Sequence, residues 1–251
     1  MNFALMGNRQ RNKWMFGKGA LRKAGVSADQ ARILRKRPNK LSNGMRFGDQ
    51  IKRCSIVKKI IFSANSVSLD QAHAGGGCLL PSSYPWPKDG KGGNLLHLLT
   101  IPVSWINESM DGWVSIFTPF DMDDPYLHWE ELTADGDNHS VVIFHDNDGM
   151  ERNEYSGLTS QAKQVNLSVV DEDDSDRNFE SKIYGIAAWL QDKEVIVGHE
   201  CLFAVNGDDF DVVFDDEPGI FSDGVVYVFL KDEFQIKGRP SDQGIITFQF
   251  T

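Results

Sequence analysis

The chain has 251 residues and a formal net charge of −10, but its charged residues are distributed very unevenly. Residues 1–60 hold 16 Lys or Arg and two acidic residues, which gives +14, whereas residues 61–251 hold 10 Lys or Arg and 34 acidic residues, which gives −24. The 41% of hydrophobic residues excludes an acidic disordered tail, because the body has enough apolar material for a packed core. The longest apolar run, Val225 to Leu230, has six residues, far fewer than the roughly 20 of a membrane-spanning helix.

Residues 1–53 are predicted to form a basic, largely flexible arm with one short helix. Ser27-Ala28-Asp29-Gln30 has the form of a capping box, and Pro38 ends the helix that this box would begin. Four interpretations of the arm stay open: a nucleic-acid-binding segment, an organelle transit peptide, a sequence joined upstream of the natural domain start, or a solvated segment lying across the acidic body.

From Cys54 onward the sequence predicts a domain of the α+β class that is predominantly β. Runs rich in Val, Ile and Phe have the length of strands and are bounded by turn-forming Asp, Gly, Asn and Pro. Helical periodicity is weak, and only Tyr126 to Leu132 and Glu180 to Leu190 are predicted as helices. The predicted strands are Ile56 to Val57, Ile60 to Phe62, Leu95 to Ile101, Val114 to Phe117, Val141 to His145, Val165 to Val170, Cys201 to Val205, Val225 to Leu230 and Ile245 to Phe250.

A repeated motif predicts that this domain consists of two similar halves. Asp111 to Phe117 and Asp223 to Phe229 share the pattern D-G-x-V-x-[I/V]-F at an offset of 112 residues, and each copy follows an apolar run. The Asp-Gly pair that opens each copy is typical of a tight turn, in which Gly accepts a positive φ. The two halves are predicted to span about residues 54–135 and 180–251.

Several motifs in both halves resemble those of the YwqG-like family. In the first half the chain reads GGCLLP over residues 76–81 and YPWPKDG over residues 84–90. In the second half, IYG at residues 183–185, WLQ at residues 189–191 and FSDGVVYVFLKDEF over residues 221–234 resemble the later elements of the family. The resemblance covers roughly residues 55–251, and it implies a sheet-rich α+β domain of two similar halves, which we place at residues 54–251.

The chain departs from the family pattern at scaffold positions. Leu79 stands near the place of a proline, Ala187 lies in a region that usually contains proline, and Phe221 replaces the usual tryptophan. The family has no established set of catalytic residues that the resemblance would transfer. Many of its members lie in bacterial toxin–antitoxin or contact-dependent competition loci as presumed immunity proteins, so the resemblance implies an immunity role through genetic context alone.

No motif in the sequence assigns a catalytic residue, a cofactor or a metal. Gly75-Gly76-Gly77 lacks the Lys-Ser/Thr of a phosphate-binding loop and is interpreted as a turn. The acidic run from Asp171 to Asp176 fails the EF-hand register, because Asp176 stands where glycine is needed. The three cysteines and six histidines lack zinc-site spacing. The Trp86-Pro87 pair is interpreted as packing a loop onto the core. Because no motif supports catalysis, the sequence favours a non-catalytic protein, but the question of enzymatic activity stays open.

The acidic clusters are the strongest functional signal in the sequence. Concentrated negative charge repels itself, but it also captures a basic partner through electrostatic steering. The sequence therefore predicts a non-catalytic cytoplasmic interaction protein, an immunity protein that binds and neutralises a basic bacterial toxin through an acidic surface. The residues predicted to bind the partner are Asp121, Asp123, Asp124, Glu130, Glu131, Asp171, Asp173, Asp174, Asp208, Asp209, Asp211, Asp215 and Asp216.

Two alternative functions stay open. The first is a small-ligand-binding protein or an enzyme whose pocket lies between the two halves, near Trp86 and Trp189. The second is nucleic-acid binding, which only residues 1–53 would provide. No membrane partner is expected, and the odd cysteine count and the lack of an apolar secretory segment predict a cytoplasmic location.

Overall fold

The structure, a computed structural model, shows a domain dominated by strands. Strands make up 40% of it and helices 6%, so the predicted predominance of β-structure is confirmed. The predicted basic arm, its helix and the predicted boundary between residues 53 and 54 lie outside the described residues. Within the described part of the chain, no helix has both the length and the apolar character needed to cross a membrane. The described residues, which all belong to the compact unit Met45–Thr251, are 57–124, 127–158, 160–169, 178–214, 219–232 and 239–251.

Ten antiparallel strands close into a barrel. They are β1 (Lys58–Ser66), β2 (His73–Ala74), β3 (Leu96–Pro102), β4 (Trp113–Thr118), β5 (Val141–His145), β6 (Lys163–Val169), β7 (Lys182–Ile183), β8 (His199–Asn206), β9 (Gly224–Lys231) and β10 (Ser241–Phe250). Around the barrel their order is β1-β6-β2-β3-β4-β5-β10-β9-β8-β7, and β7 pairs with β1 to complete the ring.

The eight strands predicted from Ile60 onward are all present, and β5 has the predicted bounds. The predicted strand Ile56 to Val57 lies partly outside the described residues, and the two-residue strands β2 and β7 were not predicted. Strand β4 shows why these runs form strands. Its side chains alternate, with Val114 and Ile116 in the main core and Phe117 on the opposite face, which is the two-residue period of a strand.

Of the two predicted helices, one is present and one is wrong. Helix α1 (Leu127–Glu131) lies inside the predicted segment Tyr126 to Leu132, whereas Glu180 to Leu190 contains β7 and a loop. The loop begins with Tyr184 at φ 65° and Gly185 at φ 80°, and two successive left-handed residues cannot continue a right-handed helix. The other helices within the described residues are a short 3₁₀ turn, Val103–Trp105, and α2 (Gly207–Phe210).

Three apolar clusters hold the domain together. The main cluster contains residues from all ten strands, and because the interior is the one face that all strands of a closed barrel share, this cluster fills the barrel. The two smaller clusters lie against the outer faces of the strands. The first outer cluster consists of Cys78, Leu80, Trp86, Leu95, Phe117 and Ile143. The second outer cluster consists of Ala204, Val225, Tyr227 and Phe229, with Trp189 among the side chains packed against it.

The barrel keeps the same neighbour relations when β1 is exchanged with β6, β2 with β7, β3 with β8, β4 with β9 and β5 with β10. Local features follow the same exchange. The pairing of β3 with β4 shifts register between His97 and Leu99, and the pairing of β8 with β9 shifts between Cys201 and Phe203. A pair of residues with positive φ follows both two-residue strands, namely Gly75 and Gly76 after β2 and Tyr184 and Gly185 after β7.

The two Asp-Gly pairs of the repeated motif open β4 and β9 in different ways. In the first copy Gly112 has a φ of 114°, as predicted, but in the second copy the positive φ of 55° belongs to Asp223. The prediction that glycine carries this conformation is therefore wrong for the second copy. Gly224 is needed for a different reason, because a Cβ at this position would lie 2.3 Å from the ring of Phe248.

Candidate functional site

The acidic residues predicted to bind a partner fall into three groups in the structure. Asp121, Asp123 and Asp124 are exposed in the loop after β4, Glu130 and Glu131 lie on α1, and Asp208, Asp209 and Asp211 lie on or beside α2. The remaining five predicted residues, Asp171, Asp173, Asp174, Asp215 and Asp216, lie outside the described residues.

The loop after β4 lines an open cleft of about 350 Å³. It brings Asp121 and Asp123 together with Asp89 and Glu154, two acidic residues that the sequence had not singled out. We call this site the acidic cleft, and its lining residues are Asp89, Gly93, Asn94, Phe120, Asp121, Met122, Asp123, Glu154, Tyr155, Ser156 and Gly157.

Aromatic side chains form one wall of the acidic cleft. The rings of Phe120 and Tyr155 lie 6.4 Å apart between centroids, and the Tyr155 hydroxyl donates to the Phe120 carbonyl oxygen at 3.0 Å. Burial, together with the negative charge of Asp121, raises the pKa of Tyr155 to about 12. The phenol therefore stays protonated at neutral pH, and the wall is uncharged beside the carboxylates.

Local hydrogen bonds hold two of the carboxylates in place. Asp89 Oδ1 accepts from the backbone N–H groups of Lys91 and Gly93 at 2.8 and 2.7 Å, and these bonds close the turn that Asp89 begins. Asp121 Oδ1 accepts from the N–H of Asp123 at 2.9 Å. Such Asx turns fix the side chain relative to the loop, so both carboxylates face the cleft without an ordering step.

The fourth carboxylate belongs to an ion pair. Arg152 Nε donates to Glu154 Oε1 at 3.0 Å, while Arg152 Nη1 donates to the carbonyl oxygens of Pro81 and Tyr84. The same guanidinium lies 5.6 Å from the centre of the Trp86 ring. Glu154 thus neutralises Arg152, which binds two loop carbonyl oxygens. The three aspartates Asp89, Asp121 and Asp123 are therefore the main source of negative potential in the cleft.

The carboxylates near α2 have structural partners. Asp209 Oδ2 accepts from the N–H of Ser181 at 3.3 Å, and Asp211 Oδ1 accepts from the N–H of Gly219 at 3.0 Å. Burial raises the pKa of Asp211. On α1, Glu131 lies 3.9 Å from Lys91. The predicted residues that the structure describes are therefore dispersed, and among them only Asp121 and Asp123 line the acidic cleft.

A second open cleft, of about 560 Å³, is lined by both polar and apolar residues. Asp70 and Glu151 are exposed in it, and Gly76 and Gly77 form part of its wall. The wall is tight, because a Cβ on Gly77 would lie 2.1 Å from the Arg152 carbonyl oxygen. We call this site the polar cleft, and its lining residues are Ser66, Val67, Ser68, Leu69, Asp70, Gly76, Gly77, Leu79, Glu151, Asn153, Ser160, Gln161 and Ala162.

The structure also assembles a buried polar chain that the sequence analysis missed. His97, Thr100, Ser115 and His145 are all 0% exposed and face the outer side of β3, β4 and β5. The signal available in the sequence was a polar residue on the same face of each predicted strand, but it does not say which strands are neighbours. We call these four residues the histidine chain.

Within the described part of the chain, neither a reactive thiol nor a metal-binding cluster accompanies the histidine chain. Burial raises the pKa of both Cys78 and Cys201 to about 12, so both thiols stay protonated and are poor nucleophiles. Among the described residues, no group of three or more His, Cys, Asp or Glu is placed to hold a metal ion.

The two tryptophans that the sequence placed near a possible pocket are packing residues. Trp86 is 3% exposed, meets Phe117 edge to face and donates its indole N–H to the Leu95 carbonyl oxygen at 2.9 Å. Trp189 is half-buried and stacks on Tyr227. They belong to separate outer clusters, and neither lines the acidic cleft or the polar cleft.

By its fold the protein is a closed antiparallel β-barrel, and it carries an acidic cleft on its surface. The chain matches no family model and no curated protein.

Proposed function

We propose that this protein is a non-catalytic interaction protein that binds a basic protein partner, with the acidic cleft as the principal contact. The observation that carries the proposal is the convergence of Asp89, Asp121 and Asp123 beside the rings of Phe120 and Tyr155. A Lys or Arg side chain matches this arrangement, because its charged head pairs with carboxylates while its stem or guanidinium plane lies against an aromatic ring.

The charge of the whole body supports the same function. Residues 61–251 carry a net charge of −24, which attracts a basic protein over a distance and raises its rate of association. Such attraction is not specific by itself. Specificity requires a contact of defined shape, and the acidic cleft with its fixed Asx turns supplies one.

The form of this function suggested by the YwqG-like resemblance is immunity. An immunity protein neutralises a toxin by covering a surface that the toxin needs, and toxins that act on nucleic acid have basic surfaces. We therefore propose a cytoplasmic immunity protein that binds a basic bacterial toxin, with the exposed Asp208 and Glu130 and the half-buried Glu131 as secondary contacts.

A binding measurement with a defined cationic probe tests the proposal. Titration calorimetry of the full chain with a hexa-arginine peptide should show affinity that falls steeply between roughly 50 and 500 mM salt. The variant Asp121→Asn/Asp123→Asn should weaken binding roughly tenfold, because it removes two ion pairs. The loop should keep its shape, since an asparagine carbonyl oxygen can still accept the turn hydrogen bond that Asp121 accepts.

The matched control removes the same charge from the other cleft. Asp70→Asn/Glu151→Gln lowers the negative charge by the same amount in the polar cleft, so we expect its affinity to stay within about twofold of the unmodified protein. Equal weakening by both double variants would contradict a specific role for the acidic cleft. Affinity that does not depend on salt would contradict the electrostatic mechanism itself.

The alternative of a small-ligand-binding protein or an enzyme has weaker support. A pocket beside Trp86 and Trp189 is not favoured, because both rings are packed against the barrel. The polar cleft has room for a small molecule, and a metabolite retained through purification and lost on substitution of Asp70 would support this function. Nucleic-acid binding through residues 1–53 predicts that removing them abolishes retention of DNA or RNA.

We also propose that the barrel consists of two related halves. The unchanged strand order on exchange, the matching register shifts and the matching positive-φ pairs support this. The exchange assigns β1–β5 to one half and β6–β10 to the other. This division places Val141–His145 in the first half and Lys163–Val169 in the second, beyond the spans of residues 54–135 and 180–251 predicted from the repeated motif.

A further inference from the structure

The histidine chain runs across the outer side of β3, β4 and β5, from the buried turn after β2 to the exposed residue that follows β5. At one end, His97 Nδ1 lies 3.2 Å from the carbonyl oxygen of Gly75, beside the wall of the polar cleft. At the other end, His145 Nδ1 lies 2.9 Å from the carbonyl oxygen of Asp146, an exposed residue. Between them, His97 Nε2 lies 2.7 Å from Thr100 Oγ1, Thr100 Oγ1 lies 2.6 Å from Ser115 Oγ, and Ser115 Oγ lies 2.8 Å from His145 Nε2.

The number of protons does not match the number of contacts. These five contacts need five protons, but two neutral imidazoles and two hydroxyls carry only four between them. The carbonyl oxygens at both ends only accept. In the neutral chain one of the five contacts therefore has no proton between its two atoms; we call it the empty contact. One added proton completes all five hydrogen bonds.

The distances indicate which contact is empty. The contact between His97 Nδ1 and Gly75 is the longest of the five. If it is the empty one, every remaining bond points the same way: His97 Nε2–H donates to Thr100, Thr100 to Ser115, and Ser115 to His145 Nε2. His145 then donates from Nδ1 to the Asp146 carbonyl oxygen. The geometry thus assigns different tautomers to the two histidines, Nε2–H for His97 and Nδ1–H for His145.

The corresponding positions on β8, β9 and β10 carry different residues. The strand exchange pairs Thr100 and Ser115 with Ala204 and Tyr227, which face each other in the same register on β8 and β9. It likewise pairs His97 with Cys201 and His145 with Gln249. Cys201 and Ala204 cannot form a comparable chain, so the corresponding strands are built in the same register without one.

We propose that the histidine chain is a buried proton relay that binds one proton more than its neutral side chains carry. A proton from solvent forms an N–H bond at His97 Nδ1. The proton on His97 Nε2 then passes to Thr100 Oγ1, that of Thr100 to Ser115 Oγ and that of Ser115 to His145 Nε2. Each step breaks one O–H or N–H bond and forms another, so the charge moves from His97 to His145 while the proton count is unchanged.

Filling the chain also changes the polar cleft. The new His97 Nδ1–H donates to Gly75, and the next two residues, Gly76 and Gly77, line that cleft. Proton uptake therefore fastens the turn that forms the cleft wall. The relay couples acidification to the rigidity of this wall, independently of the acidic cleft and of any protein partner.

The surroundings disfavour a charged ring at both ends. Burial and the neighbouring His73 hold the pKa of His97 well below its ordinary value, and burial lowers the pKa of His145. The carboxylates of Asp146 and Asp148 favour a charged His145, whereas Arg239 opposes it. The titratable and charged groups that face the chain from the packed elements are His73, Cys78, Asp146, Asp148 and Arg239.

Nitrogen-15 NMR of the histidine side chains in the full chain tests the proposal. At pH 7.5 we expect His97 to carry its proton on Nε2 and His145 on Nδ1, as the one-way chain requires. On acidification of the native state, the two rings together should take up one proton. The same Nδ1–H tautomer on both rings at pH 7.5, or uptake of two protons in the native state, would overturn the proposal.

A variant that cuts the chain provides the second arm. Thr100→Val keeps the shape of the side chain but removes the central hydroxyl, so we expect the two histidines to titrate independently of each other. The control is Thr247→Val, since Thr247 is equally buried and its Oγ1 has no hydrogen-bond partner among the described residues. Coupled titration that survives in Thr100→Val would overturn the relay. If this variant does not fold, the tautomers of His97 and His145 in the unmodified protein still test the proposal.

Discussion

The ring of Trp189 stacks on the ring of Tyr227, with centroids 4.2 Å apart and an angle of 16° between the planes. Tyr227 lies on the outer face of β9, and its hydroxyl donates to the Ala188 carbonyl oxygen at 2.6 Å and accepts from the Leu190 N–H at 3.2 Å. These contacts hold the segment after β7 against the barrel as a loop. They replace the backbone hydrogen bonds that a helix in this segment would have made.

The first prediction concerns this hydroxyl. Tyr227→Phe should lower the free energy of unfolding by about 1–2 kcal/mol, because it leaves the Ala188 carbonyl oxygen without its donor while keeping the stacked ring. Urea denaturation measures the change. Tyr84→Phe is the control, since the Tyr84 hydroxyl makes no hydrogen bond within the described residues, and its stability should stay within about 0.5 kcal/mol. Equal losses in both variants would show that the bonds of Tyr227 contribute nothing particular.

A second prediction follows from the burial of Trp86. Trp86→Ala should destabilise the fold by about 3–5 kcal/mol, because it opens a cavity against Phe117 in the first outer cluster. Trp86→Phe should cost less, since the ring volume is largely kept and only the indole N–H to Leu95 is lost. Thermal unfolding compares the two variants. A Trp86→Ala protein of unchanged stability would favour an exposed, ligand-stacking ring instead.

The third prediction compares two glycines with different constraints. At Gly77 an added Cβ would lie 2.1 Å from the Arg152 carbonyl oxygen, so Gly77→Ala must displace backbone and should cost more than about 2 kcal/mol. At Gly92, where φ is +87°, no atom lies within 4 Å of the added Cβ. Gly92→Ala should therefore cost only about 1 kcal/mol of backbone strain. Chemical denaturation of both variants gives the comparison, and a reversed order would contradict the packing around Gly77.

The fourth prediction is a loss of stability in acid caused by the buried histidines. The pKa values of His97 and His145 are lower in the folded chain than the ordinary 6.5, so the unfolded chain binds more protons below that pH. The free energy of unfolding should fall as the pH drops below about 6.5, by up to roughly 1.4 kcal/mol per pH unit for each histidine. Urea midpoints at pH 7.5 and 5.5 measure this slope, which should be shallower in His97→Gln. Stability that rises on acidification would exclude neutral buried histidines.

The fifth prediction concerns thiol reactivity. With pKa values of about 12, Cys78 and Cys201 should react with a disulfide reagent at pH 8 at least roughly a hundredfold more slowly than free cysteine. Cys54 lies outside the described residues, so the measurement uses a Cys54→Ser variant. Unfolding in urea is the internal control and should release two fast-reacting thiols. A fast thiol in the native state would place Cys78 or Cys201 at an accessible surface.

Much of the fold can be read from local sequence because strand formation is largely a local property. Runs such as Val141 to His145 have β-branched and aromatic residues, alternate in burial and end at turn residues, so they are visible without knowing their neighbours. The segment Glu180 to Leu190 was misread for a related reason. Its apolar residues pack partly in the main cluster and partly against the second outer cluster. The left-handed Tyr184, which breaks the helix, donates its backbone N–H to the Leu202 carbonyl oxygen on β8.

The sites divide in the same way. Charge could be counted along the chain, and the structure places Asp121 and Asp123 of the counted clusters at exposed positions. Their convergence with Asp89 and Glu154 could not be foreseen, because these residues come from separate loops that meet only when the barrel closes. The histidine chain depends even more on register. A strand's own pattern decides which face a side chain occupies, but only long-range pairing decides which side chain of the next strand stands beside it.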